Sequence, residues 1–188
     1  MKKTIVDLFE ASVKQYPNNT FLLEKTKKEF EPTTYTQVKE QVYRIGAGLQ
    51  ALGVKKGDTM ALLSEGRNLW VIGELAMFYA GAINVPLSIK LEESNDLMFR
   101  LVHGDVKYVM VSGQQLKKIR QIKSQLPAVQ KVIVFDEQET YEDGEIALSE
   151  IIAMGDKFLA EHTEEEFLAV AHSIQNDDYA TITYTSGT

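Results

Sequence analysis

From Met60 to Tyr184 the sequence alternates short apolar runs with longer stretches whose apolar residues recur every three to four positions. That alternation restricts the fold more than any other feature of the chain. Met60–Leu63, Ile83–Leu87, Tyr108–Val111, Val132–Phe135 and Ala180–Tyr184 read as strands. Between the first two, Leu69, Ile72, Leu75, Ala76 and Tyr79 share a helical face, with Asn68 as the expected cap and Gly81 as the stop. Leu97–Val102 marks a second helix, Leu116, Ile119, Ile122 and Leu126 a third, and Leu148–Leu159 a fourth. An acidic helix, Glu164–His172, is expected before the last run. Strands separated by helices require crossovers, so the expected fold class is α/β, a mainly parallel sheet with helices on both faces. The run Val132-Ile133-Val134-Phe135 carries no polar alternation, which suits a strand buried on both sides. Pro86 cannot donate a ladder hydrogen bond and is expected at a strand end or a sheet edge.

The preceding residues follow other patterns. Ile5, Phe9, Val13 and Tyr16 have helical spacing, closed by Pro17. Phe21-Leu22-Leu23 and Glu29-Phe30-Glu31 flank a Lys/Thr turn and predict a hairpin. Thr34 and Gln37 make a capping-box pair ahead of Val38, Val42, Ile45, Leu49 and Leu52, and Gly53 supplies the C-cap. Asp136–Glu145, acidic and ending near Asp143-Gly144, reads as an exposed loop.

With 44% hydrophobic and 25% charged residues among 188, the chain can bury a sizeable core. It has no cysteine, which removes disulfides, thiol nucleophiles and thiolate metal sites. Together with the lack of an apolar N-terminal leader, this predicts a reducing, cytoplasmic location. No apolar run is long enough to span a bilayer, which leaves peripheral membrane contact open. Residues 136–178 hold 14 of the 27 acidic side chains against one base, Lys157, beneath a net charge of −7. The basic excess elsewhere is slight and interleaved with acids, so nucleic acid is not an expected partner.

Several motif fragments lack their context. Gly46-Ala47-Gly48-Leu49-Gln50-Ala51 satisfies G-x-G-x-x-A, but these glycines fall inside a helical repeat rather than between a strand and a helix, which points to close helix packing. His162-Thr163-Glu164 matches half of a zinc-deaminase signature whose other half needs cysteines. His103, His162 and His172 have no ligand spacing, and no metal ligand or catalytic residue is assigned within the chain. Neither G-x-S-x-G nor G-x-x-x-x-G-K-[ST] occurs.

The remaining feature is Thr181-Ile182-Thr183-Tyr184-Thr185-Ser186-Gly187-Thr188. A strand running into hydroxyls and a glycine offers donors that suit phosphate oxygens, with Gly187 permitting a tight turn. A strand ending in a polar turn is also common without any ligand.

Tyr184-Thr185-Ser186-Gly187-Thr188 resembles the first half of the Y-T-S-G-T-T-G-x-P-K-G signature of the acyl-adenylate-forming, or AMP-binding, superfamily. Upstream, Thr34-Tyr35-Thr36 with the run Gly48 to Asp58, then Asn68-Leu69-Trp70 and Ala80 to Leu87, resemble further blocks of that superfamily in the same order. The likeness is greatest to long-chain fatty acid:CoA ligases. The resemblance implies that Thr185, Ser186, Gly187 and Thr188 hold the phosphates of ATP. Residues 1–188 would then be the N-terminal part of an AMP-binding domain. Within it, 1–57 form helix, hairpin and capping helix, and 58–188 an alternating β/α sheet that reaches the start of the phosphate loop. It implies ATP, Mg2+, coenzyme A and a fatty acid as small-molecule cofactors and substrates of a longer enzyme, of which this chain alone is expected to be inactive. An aryl-acid ligase, a peptide-synthetase adenylation domain and a non-catalytic nucleotide-binding or interaction module are the alternatives.

Overall fold

A computed structural model describes residues 3–91 and 93–185. Helix α1, Ile5–Gln15, opens on a reciprocal capping box between Thr4 and Asp7. An antiparallel hairpin follows, β1 (Thr20–Thr26) against β2 (Glu29–Thr34). Helix α2, Tyr35–Leu52, has Thr34 and Gln37 capping each other at its start and ends on Gly53, left-handed at φ +104°. These three elements form where their local signals predict.

The rest is the expected α/β alternation: β3 (Thr59–Leu63), α3 (Asn68–Tyr79), β4 (Ile83–Leu87), α4 (Met98–His103), β5 (Tyr108–Val111), α5 (Gly113–Ile122), β6 (Lys131–Val134), β7 (Glu145–Ala147), α6 (Leu148–Glu161) and α7 (Glu164–His172). The five strands pair in parallel throughout, in the order β4-β3-β5-β6-β7. Both faces are covered. Met60, Leu62, Met110 and Ile133 pack under α2 and α3, while Ala61, Leu63, Val109, Val111, Val132 and Val134 pack under α4 and α5. The period of two thus survives although both sets are apolar, because each face has its own helices to meet.

The structure revises four expectations. Ala180–Tyr184 is not a strand: its pairing is a single parallel bridge between Thr181 and Asn84. Asn84 donates its N–H to the Ala180 carbonyl at 2.9 Å, and Ile182 donates to the Asn84 carbonyl at 2.8 Å. The next rung would need an N–H from residue 86. Proline has none, so the ladder stops. Pro86 therefore lies inside the edge strand, paired in register with Leu62 on one side and facing the open edge on the other. The second revision is β7, which begins at the last residue of the segment expected to be loop. Third, α3 begins at Asn68 instead of being capped by it; Arg67 is the N-cap, and the Asn68 amide donates to Thr33 Oγ1 at 3.2 Å. Fourth, α4 is preceded by a π turn, Glu93–Leu97.

The glycines of α2 have the packing role expected of them. A Cβ on Gly46 would lie 3.1 Å from the Tyr79 Cβ of α3, and one on Gly48 would lie 2.0 Å from the Ile151 carbonyl of α6. Helix α1 is tied to this layer by Glu10, which accepts from Tyr43 at 2.7 Å, from Lys39 at 3.0 Å and from the Tyr79 hydroxyl.

Candidate functional site

Of the four residues that the sequence nominates, Thr185 is described; Ser186, Gly187 and Thr188 lie outside the described residues. Thr185 is exposed and makes no hydrogen bond to another described residue. The geometry that can be built is therefore the approach to the run, Ala180–Tyr184, and what holds it.

The first anchor is Asn84, a wholly buried amide in a strand otherwise composed of Ile83, Val85, Pro86 and Leu87. Its backbone supplies both rungs to the approach segment, which sets that segment parallel to β4. Its side-chain Nδ2 donates to Glu74 Oε1 of α3 at 2.6 Å, while its Oδ1 has no partner among the described residues. Burial pushes the Glu74 carboxyl above the ordinary carboxylate range, and the bond from Asn84 only partly opposes it.

The second anchor is Tyr184. Its hydroxyl is 2.8 Å from His103 Nδ1 and 3.4 Å from the Arg100 carbonyl, to which it donates. The Arg100 guanidinium stands 5.6 Å from the ring centroid, within cation–π range. Burial pushes the phenol above its usual value and the Arg100 charge pulls against that. The last turn of α4 is the end nearest the amino ends of the strands, since Lys107 donates to the Thr59 carbonyl at 3.0 Å and Thr59 Oγ1 to that of Asp105 at 2.5 Å. Tyr184 thus reaches α4, and among the described residues its hydroxyl joins no polar group at the carboxyl ends of the strands.

Those carboxyl ends carry a separate set of polar groups. Arg67 Nη1 pairs with Asp136 at 2.8 Å, and Asp136 Oδ2 accepts the Gly113 N–H at the start of α5 at 2.8 Å. Glu65 accepts from Gln115 Nε2 at 2.6 Å. An acidic side chain already occupies the α5 N-terminus, so this rim is not a preformed anion site. Among the described residues no group of three or more acidic or histidine side chains is arranged to hold a metal ion.

Sequence reasoning missed His103, Arg100, Asn84 and Glu74. An asparagine inside an apolar strand was the one available signal. His103 had none, because its partner is 81 residues away.

The model of the family described as AMP-binding enzyme matches residues 9–188. A methyl-dioxo-octahydroindenyl-propanoyl:CoA ligase from Mycobacterium tuberculosis is 28% identical over 191 residues, 99% of this chain and 34% of that protein. The long-chain-fatty-acid–CoA ligase ACSBG1 of Rattus norvegicus is 24% identical over 188 residues, 98% of this chain and 25% of that protein. The crystal structure of a long-chain-fatty-acid-CoA ligase (FadD1) from Archaeoglobus fulgidus superimposes with a TM-score of 0.81. It covers 100% of this chain and 35% of that one at 19% identity, a likeness of fold. The chain spans about a third or less of the length of the curated relatives it matches.

Proposed function

The chain belongs to the AMP-binding enzyme family, and from that premise we propose that the protein it comes from activates a long-chain fatty acid with ATP. The acid's carboxylate attacks the α-phosphate, releasing pyrophosphate and forming an acyl-AMP, and the acyl group then passes to the thiol of coenzyme A with release of AMP. Residues 1–188 serve as the N-terminal part of the domain that does this, the residues from 58 onward providing the sheet that leads to the phosphate-binding run.

Thr185, Ser186, Gly187 and Thr188 hold the phosphates in this reading. Hydroxyls and backbone amides directed at pyrophosphate oxygens stabilise the charge that develops as the leaving group departs. A magnesium ion on the nucleotide would share that charge. The observation that carries the proposal is the anchored approach to the run: two backbone rungs at Asn84 and the phenol of Tyr184 fix the chain up to the residue before Thr185, whose own side chain is exposed. The fatty-acid assignment is supported by the name of the rat relative.

ATP–pyrophosphate exchange by the full-length protein tests it, with a long-chain fatty acid, an aryl acid and amino acids offered in parallel. Exchange with the fatty acid alone is expected. Exchange confined to aryl or amino acids would overturn the substrate, and none with any acid would overturn the activity. The 188-residue chain by itself is expected to match the no-protein control, because groups that act as a unit lose their effect together.

A further inference from the structure

We propose that His103 is a positioning residue for the phosphate-binding run, acting through the Tyr184 phenol; the inference rests on the function proposed above for Thr185–Thr188.

Main-chain anchoring of the approach segment ends at Ile182, because Pro86 has no N–H for the next rung. Two residues further on, the chain is held again, among the described residues through a side chain. The Tyr184 hydroxyl meets His103 Nδ1 at 2.8 Å, and the ring lies against Arg100 and, at 6.3 Å and 72°, against Phe99. His103 is itself located by stacking on Phe99, the ring centroids 5.2 Å apart and 25° from parallel. The contact is open to either imidazole state: a protonated Nδ1 donates to the phenol oxygen and leaves the phenol proton for the Arg100 carbonyl, whereas a neutral, unprotonated Nδ1 accepts that proton in place of the carbonyl. Thr185 follows Tyr184 directly, so the grip on the ring sets where the run starts. An exposed histidine on a six-residue helix adds little to the core. Its geometric effect falls on the one segment that the edge strand cannot hold.

The test compares His103→Leu, His103→Asn and Tyr184→Phe. Asparagine places a polar atom near the Nδ1 position and serves as the conservative rescue. In the 188-residue chain, the backbone order parameter of Thr185 is expected to fall below about 0.6 in His103→Leu and Tyr184→Phe and to recover in His103→Asn. In the full-length protein, the first two variants should raise KM for ATP about tenfold in pyrophosphate exchange, with kcat and the KM for the acid little changed. The double variant should be no worse than either single one, since both break the same bond. Unchanged ATP kinetics in His103→Leu and Tyr184→Phe, with a raised ATP KM in Thr185→Ala and Ser186→Ala, would overturn the positioning role and leave the phosphate role standing. If all four variants behave as the unmodified protein, the phosphate role has failed and the inference falls with it. An equal rise in both KM values would mark a general loss of structure and also overturn it.

Discussion

Gly48 of α2 meets Ile151 of α6 so closely that a Cβ on the glycine would stand 2.0 Å from the Ile151 carbonyl oxygen. The contact is matched from the other helix, where a Cβ on Gly155 would lie 1.8 Å from the carbonyl of Arg44. Two glycines, one on each partner, let the backbones touch.

Gly48→Ala and Gly155→Ala should therefore each destabilise the fold by about 3 kcal/mol, the upper range for overpacking, since main-chain atoms cannot step aside as side chains do. Gly66→Ala, with no heavy atom within 4 Å of the added methyl, should change little. Urea denaturation of the three variants checks this; a Gly48→Ala midpoint equal to that of Gly66→Ala would refute the close crossing.

Acid should loosen the outer edge of the sheet through Glu145. Its side chain is 1% exposed and is held by Arg120 Nε at 2.8 Å and Nη2 at 2.7 Å, with the Glu142 amide at 2.9 Å. Burial pushes this carboxyl up, but Arg120 and the amide outweigh it and hold the carboxyl below the usual range. A depressed folded-state value means stability that is present above the unfolded value and is lost as pH falls through the folded one. Arg120→Ala should cost on the order of 2 kcal/mol at pH 7, less than for a fully buried pair because the arginine is partly solvated. The cost should shrink as pH falls through the folded-state value and the carboxyl takes up its proton; a cost that stays constant across an acid titration would rule out the pair as its source.

Glu74 has the opposite sign. Its carboxyl is raised by burial, so its favourable contribution is complete below the unfolded value and is lost as pH rises through the folded one. Glu74→Gln removes that loss and offers an N–H to the unpartnered Asn84 Oδ1. The variant should unfold at higher urea than the unmodified chain at pH 8 and at nearly the same urea at pH 4. A lower midpoint at pH 8 would show that the ionised carboxylate is the preferred partner of Asn84.

Pro86→Val should lengthen the ladder at the open edge. The new N–H faces the Ile182 carbonyl, and a rung there is worth about 1 kcal/mol. Hydrogen exchange at residue 86 reads it directly. Exchange as fast as in an unstructured peptide would mean that the proline is not what ends the pairing.

The sequence alone determined the elements whose signals lie within a turn of the chain. Thr34, Gln37 and Gly53 bound α2 because capping groups act within four residues, and a short apolar run and a recurrence every three to four residues assign β3 and α3 before any partner is known. An alternation of such elements was enough for a parallel sheet covered on both faces. Tertiary structure decided what depends on residues far apart in the chain. Glu145–Ala147 becomes a strand only because β6 is there to pair with it, and Ala180–Tyr184 fails to become one because Pro86, nearly a hundred positions earlier, withholds an N–H. The histidine that grips Tyr184 carries no local mark for the same reason. A hydrogen bond across 81 residues is set by where α4 comes to rest, and no spacing in the sequence records that.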